Sequence, residues 1–236
     1  MKASRPTDSD ILIFDMDGVL VDVTESYRET ICQTVAHFSK QTISREFVQD
    51  YKNLGGWNND WMLSEKILID LGHPVAFETV KAYFNKIFFG DVIDGIADGL
   101  MAREQWLPGE GLLEQLAANY HLAVFTGREK EEALMTLRRF APHVAFDPVL
   151  AADMGVLAKP APDGLLHIGK RFPGRQMWYV GDTVDDARSA RAAGVPFIGV
   201  AAPEVPQRES LLALFQEEDA RHIVENINQL PEVLVA

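Results

Sequence analysis

The stretch that most constrains the fold is an apolar run that ends in two aspartates. Ile11–Phe14 is an unbroken run of four apolar residues that leads directly into Asp15 and Asp17. A run of this kind predicts a strand that is buried on both faces of a sheet. Side chains alternate along extended backbone, so we expect Asp15 and Asp17 to point the same way, with Gly18 allowing a sharp turn. Two carboxylates this close need a cation or a shared proton, which predicts a metal site or acid–base chemistry.

The composition is that of an ordinary soluble protein with an acidic surface. The 236 residues carry a formal net charge of −13, with 47% hydrophobic and 24% charged residues. Affinity for phosphate polymers and anionic lipids comes from clustered Lys and Arg, so we expect no nucleic-acid or membrane partner. The single cysteine, Cys32, forms no intrachain disulfide, which fits a reducing cytoplasm. The polar residues 1–10 predict no secretory signal, and no apolar run approaches the roughly 20 residues that cross a bilayer.

The apolar pattern divides the chain into two parts. Between residues 21 and 105 apolar residues recur at helical spacing, as at Tyr27, Ile31 and Val35, which predicts about four helices and no strand. After residue 105 strands alternate with helices, which predicts a parallel sheet covered on both faces. The predicted strands of this sheet are 11–14, 121–125, 146–150, 177–180 and 196–200. The helical part is therefore an insertion after the first strand.

Reactive side chains recur at the predicted carboxyl ends of these strands, where open parallel sheets bind ligands. They are Asp15 and Asp17 after the first strand, Thr126 after the second, Lys159 after the third and Asp182 after the fourth. The set suits phosphoryl transfer, because a carboxylate nucleophile approaches a phosphate dianion only if a hard cation such as Mg²⁺ offsets the repulsion. Asp15 and Asp182 can supply oxygens to that ion. The Thr126 hydroxyl, the backbone N–H of Gly127 and the Lys159 ammonium can hold the phosphoryl oxygens.

Four ordered motifs carry a resemblance to a known family. They are Asp15-Met16-Asp17-Gly18-Val19-Leu20, Thr126-Gly127, Lys159-Pro160-Ala161-Pro162-Asp163 and Gly181-Asp182-Thr183-Val184-Asp185-Asp186. They resemble the motifs of the haloacid dehalogenase superfamily, in its phosphatase branch of the phosphoglycolate phosphatase and β-phosphoglucomutase type. The resemblance spans nearly the whole chain and implies an α/β, Rossmann-like three-layer core with strand order 5-4-1-2-3. It implies that residues 1–20 and 106–236 form this catalytic core and that residues 21–105 form a mobile, all-helical cap.

The resemblance also implies roles for individual residues. Asp15 would be the nucleophile that forms an aspartyl-phosphate. Asp17 would protonate the leaving oxygen and then deprotonate the attacking water. Mg²⁺ would be held by the Asp15 carboxylate, the main-chain carbonyl of Asp17 and Asp182, while Asp186, the last acid of the fourth motif, would orient metal-bound water. Dehalogenases of the family lack the second carboxylate, so the presence of Asp17 favours phosphate chemistry.

The motifs favour a cytoplasmic, Mg²⁺-dependent phosphatase that hydrolyses a small phosphorylated metabolite and exists as a monomer or a homodimer. Two alternatives stay open. A phosphomutase of the β-phosphoglucomutase type would use every one of these residues and return the phosphoryl group to its substrate. A signalling module that accepts a phosphoryl group without turnover also places acids, Thr and Lys at strand ends, although a helical insertion of ~80 residues is too large for a routine loop.

Several residues outside the motifs have two interpretations each. A stretch rich in Gly, Asn and Trp either faces the substrate or packs a helix of the inserted domain. It contains Lys52, Gly55, Gly56, Trp57, Asn58 and Trp61. Lys52 either forms a Schiff base, as in some relatives, or is an ordinary lysine at a helix end. Arg128 either contacts a substrate anion or pairs with a surface acid.

Overall fold

The computed structural model describes residues 9–93 and 96–234. The sequence-based prediction for residues 1–10 therefore falls largely outside the described residues. The chain divides into two compact units: one runs to Leu20 and resumes at Trp106, and the other is Val21–Gln105. Among the described residues, no helix is both long and apolar enough to cross a membrane.

A six-stranded sheet forms the centre of the first unit within the described residues. Its strands are β1 Ile11–Phe14, β2 His121–Phe125, β3 Val149–Leu150, β4 Met177–Gly181, β5 Phe197–Val200 and β6 His222–Val224. Every neighbouring pair is parallel, and the order across the sheet is β6-β5-β4-β1-β2-β3. The predicted α/β class with a parallel sheet is confirmed, and β6 extends the sheet beyond β5.

The helices follow the predicted pattern closely. In chain order they are α1 Glu29–Ser39, α2 Arg45–Leu54, α3 Asp60–Asp70, α4 Phe77–Phe89, α5 Leu112–Asn119, α6 Lys130–Phe140, α7 Asp163–Arg171, α8 Val184–Ala193, α9 Arg208–Glu217 and α10 Leu230–Val233. A π-helical turn, Thr24–Arg28, precedes α1, and 3₁₀ turns occur at Leu100–Arg103 and Ile227–Gln229. The side chains of Ser44 and Asn59 accept backbone hydrogen bonds at the starts of α2 and α3, as residues of these types do at helix N-termini.

The central strand is buried on both sides. All four residues of β1 are at most 1% exposed. Because successive side chains of a strand point to opposite faces, this burial means that both faces of the sheet are covered. Ile13 lies opposite Ala123 of β2 and Tyr179 of β4. β1 is therefore held rigidly at the middle of the sheet, and its carboxyl end is a fixed point.

Two boundaries differ from the predictions by three residues or more. The third strand was expected over residues 146–150 but is only Val149–Leu150, because Pro148 has no N–H to donate to the neighbouring strand. The helix expected to open at Pro108-Gly109 begins at Leu112 instead.

The inserted unit is mainly helical, but the prediction that it is all-helical is wrong. Its aromatic core includes Tyr27, whose ring centroid lies 4.2 Å from that of Phe88 and 6.2 Å from that of Phe84. Val92–Ile93 and Ile96–Ala97 pair as a short antiparallel hairpin. Positions 94 and 95 themselves lie outside the described residues.

Two glycines of α7 offer a matched test of packing against the sheet. A Cβ on Gly164 would lie 2.3 Å from the ring of Phe125, whereas one on Gly169 would lie 3.0 Å from the flexible end of Met177. Alanine favours the helix at both positions by roughly 1 kcal/mol. We expect Gly164→Ala to lower the free energy of unfolding by ~1–3 kcal/mol, because the ring cannot give way. Gly169→Ala should leave it unchanged or raise it. Urea unfolding measures both, and equal stabilities would contradict this packing.

Candidate active site

A buried lysine joins two aspartates at the carboxyl end of the sheet. Asp15 follows β1 and is 3% exposed. The Lys159 ammonium, just before α7, lies 2.9 Å from Oδ1 of Asp15 and 2.6 Å from Oδ1 of Asp186. The structure thus brings together three of the residues that the sequence placed at a site, although 171 positions separate Asp15 from Asp186 (186 − 15).

The first turn of α8 fixes Asp186. Thr183 is the N-cap of this helix, and its backbone N–H and hydroxyl donate to Oδ2 of Asp186 at 3.0 and 2.6 Å. The N–H of Asp186 donates back to the Thr183 hydroxyl, which completes a capping box. Oδ1 accepts from Lys159 and from the hydroxyl of Tyr179. Both oxygens of Asp186 are therefore oriented by protein donors.

Tyr179 is a member of this cluster that the sequence reasoning missed. Its hydroxyl donates to Oδ1 of Asp186 at 2.6 Å and accepts from Lys159 at 2.9 Å. The ring is fully buried in the core beneath the site. The available signal was a polar-tipped aromatic residue three positions before Asp182 in a strand that otherwise reads as apolar.

Burial and charge shift the proton affinities of the cluster. Burial, helped by the negative charges of Asp186 and Asp17, raises the pKa of Asp15 to about 7 against the pull of Lys159. Burial alone would lower the pKa of Lys159, but Asp15 and Asp186 together hold that pKa above its ordinary value. Burial would likewise raise the pKa of Asp186, yet Lys159 and the hydrogen bonds from Thr183 and Tyr179 hold it below the ordinary value. Lys159 therefore stays an ammonium at neutral pH.

Three carboxylates form a set that could hold a metal ion. Asp15, Asp182 and Asp186 each offer an oxygen, and these atoms lie within 4.8 Å of one another. Hard oxygen donors of this kind suit a divalent cation such as Mg²⁺. Gly18 has a φ of +73°, and a Cβ there would lie 2.0 Å from Oδ2 of Asp182. Glycine at this position therefore lets the turn after β1 approach Asp182 closely.

Asp17 makes a separate ion pair with Arg128. The Nε and Nη2 atoms of Arg128 donate to the same oxygen of Asp17, Oδ1, at 2.8 and 2.6 Å. The Arg128 side chain is 1% exposed and that of Asp17 is 28% exposed. Of the two interpretations of Arg128, pairing with an acid is what the structure contains, and that acid is Asp17.

Arg128 links the second motif, Thr126-Gly127, to Asp17. Thr126 directly follows β2 and is buried, and its hydroxyl accepts a hydrogen bond from the backbone N–H of Arg128 at 3.1 Å. The following helix, α6, is instead capped by Glu129. Thr126 and Gly127 thus end β2 next to the strand that carries Asp15. Their predicted contact with a phosphoryl group stays a prediction.

The Gly- and Trp-rich stretch belongs to the inserted unit. Nε1 of Trp61 donates to Asn85 at 2.9 Å, and the Lys81 ammonium lies 4.0 Å from the centre of the Trp61 ring. Trp61 therefore packs within this unit, in line with the helix-packing interpretation. Lys52 forms an ion pair with Asp60 at 2.5 Å, in which both side chains are 13% exposed. The roles considered for Lys52 and Asn58 in substrate binding stay predictions.

Comparisons with known proteins identify the family of the chain. Residues 10–194 match the model of the haloacid dehalogenase-like hydrolases. An imidazoleglycerol-phosphate dehydratase of Phytophthora nicotianae is 32% identical over 82% of the chain, and the match spans 43% of that longer protein. A fructose-1-phosphate phosphatase of Escherichia coli is 27% identical, over 80% of the chain and 95% of that enzyme.

The fold has close neighbours among solved structures. The crystal structure of a predicted phosphoglycolate phosphatase from Haemophilus somnus superposes with a TM-score of 0.72 at 18% identity, covering 97% of this chain and 99% of that one. The match to the family model spans most of the chain, including all four motifs. The chain therefore belongs to the haloacid dehalogenase-like hydrolase family, in its phosphatase branch.

Proposed function

We propose that this protein is a Mg²⁺-dependent phosphatase that hydrolyses a small phosphorylated metabolite through an aspartyl-phosphate on Asp15. The observation that carries the proposal is the buried Asp15 carboxylate, held by Lys159 at the carboxyl end of a parallel sheet. Two further carboxylates offer oxygens within 4.8 Å. This donor set supports a cation at the position where a phosphate dianion would meet the nucleophile.

In the proposed first half-reaction, Asp15 attacks the phosphorus atom. Lys159 holds Oδ1 of Asp15, which leaves the other oxygen to form the new bond to phosphorus. The bond between phosphorus and the leaving oxygen breaks, and Asp17 gives that oxygen a proton. The Thr126 hydroxyl, the Gly127 N–H and the Lys159 ammonium stabilise the phosphoryl oxygens.

In the second half-reaction, Asp17 takes a proton from water as the water oxygen attacks phosphorus. The bond between phosphorus and Asp15 breaks, which releases inorganic phosphate and restores the carboxylate. Asp15, Asp182 and the main-chain carbonyl of Asp17 would hold Mg²⁺, whose charge offsets the repulsion between nucleophile and phosphate. Asp186 lies beside these ligands, and both of its oxygens already accept protein hydrogen bonds, so it would orient water bound to the ion while it fixes Lys159.

The proposed substrate is a small phosphate monoester, such as a phosphorylated acid or sugar. The name of the relative from Escherichia coli supports this class. We propose that the Val21–Gln105 unit serves as the cap that closes over the substrate and selects it. The single cysteine, Cys32, is free, which supports a cytoplasmic protein. The acidic net charge argues against nucleic acid as a substrate.

The first prediction concerns turnover. We expect phosphate release from a panel that includes phosphoglycolate and fructose 1-phosphate, with Mg²⁺ and not with EDTA. Asp15→Asn should lower kcat by roughly 10³-fold or more, because it removes the nucleophile. Asp50→Asn, which neutralises an exposed carboxylate of α2, should leave it unchanged.

Two results would contradict the phosphatase assignment. A phosphomutase would convert a sugar phosphate to its isomer only when a sugar bisphosphate is present, with little phosphate released. A signalling module would take up one phosphoryl group per chain and release none. Either result, obtained with protein that binds Mg²⁺, would replace hydrolysis as the function of the site.

The second prediction concerns pH and stability. In metal-free protein the pKa of Asp15 is raised from its ordinary 3.8 to about 7, so the folded state binds this proton more tightly than the unfolded chain. The stability that the proton on Asp15 contributes is fully present at low pH and is lost as the pH rises to about 7. Asparagine at position 15 does not titrate in this pH range. We therefore expect the melting temperature of Asp15→Asn, relative to that of the wild type, to rise by about 4 °C or more as the pH increases across this range.

Differential scanning fluorimetry in EDTA measures this difference between pH 4 and pH 8. Adding Mg²⁺ at pH 8 should stabilise the wild type more than Asp15→Asn, because a bound cation favours the ionised carboxylate. A difference in melting temperature that stays flat with pH would contradict a buried, protonated Asp15.

A further inference from the structure

We propose that Arg128 is a positioning residue that aims the Asp17 carboxyl group at the leaving oxygen of the substrate. The inference rests on the proposed phosphatase function and deepens it. The relevant observation is the ion pair between Arg128 and Asp17, which the motifs alone did not predict. The guanidinium is buried, with the Arg128 side chain 1% exposed, whereas the Asp17 side chain is 28% exposed.

The contact between the two side chains fixes a direction. Nε and Nη2 of Arg128 both donate to Oδ1 of Asp17, at 2.8 and 2.6 Å. Within residues 9–93 and 96–234, Oδ2 of Asp17 accepts no hydrogen bond. A planar guanidinium that donates twice to one oxygen restricts the rotation of the carboxylate more than a single contact would. Oδ1 is therefore held by the protein, and Oδ2 is the oxygen that remains for the substrate.

Arg128 is itself held from two other elements. Its Nη1 donates to the Thr136 hydroxyl of α6 at 2.7 Å, and its backbone N–H donates to the Thr126 hydroxyl at the end of β2 at 3.1 Å. The hydrogen bond to Thr136 thus orders this long, flexible side chain before the substrate arrives. The turn that carries Asp17 is consequently tied to α6 and β2 as well as to β1.

The chemistry of the leaving group separates a positioning role from a merely structural one. Proton transfer from Asp17 matters for an alkyl phosphate, whose alkoxide is a poor leaving group, and contributes about 10²–10⁴-fold in such reactions. It matters little for p-nitrophenyl phosphate, whose phenolate leaves without a proton. The ratio kcat/KM covers only the steps through loss of the alcohol, so the later use of Asp17 as a base does not enter it.

The test compares kcat/KM for the best alkyl phosphate and for p-nitrophenyl phosphate, both with saturating Mg²⁺. We expect Arg128→Gln to lower the alkyl value ~10–100-fold and the aryl value less than ~3-fold. Arg128→Lys keeps the positive charge but cannot donate two hydrogen bonds from a planar group. Its value for the alkyl phosphate should therefore lie between those of the wild type and Arg128→Gln. Arg138→Gln removes an exposed arginine of α6 that pairs with Glu131, and it should change neither value.

A double variant tests whether Arg128 acts through Asp17. Asp17→Asn already lacks the acid, so adding Arg128→Gln should lower the alkyl value no further. If Arg128→Gln does not fold, Thr136→Val decides instead, because it removes the hydrogen bond from Arg128 to the Thr136 hydroxyl and should lower the alkyl value selectively.

The possible outcomes are distinct. Equal losses on both substrates, or losses that add in full to those of Asp17→Asn, would show that Arg128 is structural and would overturn this inference alone. A wild-type protein that binds Mg²⁺ but releases phosphate from neither substrate would overturn the phosphatase proposal, and this inference with it.

Discussion

The site depends on one buried ammonium group. Lys159 contacts Asp15 and Asp186 at once, and its own side chain is 1% exposed. Without it, two carboxylates would be buried close together, at a cost of several kcal/mol per unpaired charge. Even with it, burial raises the pKa of Asp15 to about 7, and a bound cation would favour the ionised form of this carboxylate. Lys159 thus stabilises the buried cluster in which Asp15, Asp182 and Asp186 could hold a metal ion.

The topology of the sheet explains why these residues meet. β1 lies between β2 and β4, and Phe14 is in register with both Val124 and Val180. The residues that follow each strand therefore emerge side by side at one edge, as in other open parallel sheets. Close packing then sets the distances: a Cβ on Gly181 would lie 2.4 Å from Asp186. Glycine at positions 18 and 181 thus leaves room for the side chains of Asp182 and Asp186 to pack against the backbone of the site.

The sequence predicts the sheet better than it predicts the contacts. Apolar strands ending in Asp15, Thr126 and Asp182 follow from local patterns, because strand alternation and burial are properties of neighbouring residues. The partnership of Arg128 with Asp17 spans 111 positions, and no periodicity encodes it. The contribution of Tyr179 to the site was not predicted for a similar reason. An aromatic residue in a buried strand is usually part of the core, and only the folded structure shows which group its hydroxyl contacts. The short hairpin at Val92–Ile93 was missed because two-residue strands lack a period.

In the proposed reaction, Asp15 carries the phosphoryl group during turnover. The most direct measurement is rapid acid quench of the enzyme with its best substrate and Mg²⁺, followed by peptide mapping by mass spectrometry. We expect a phosphoryl group on Asp15 that appears within a turnover and disappears when the substrate is exhausted. Steady phosphate release with no label on Asp15, or with the label on another residue, would contradict it.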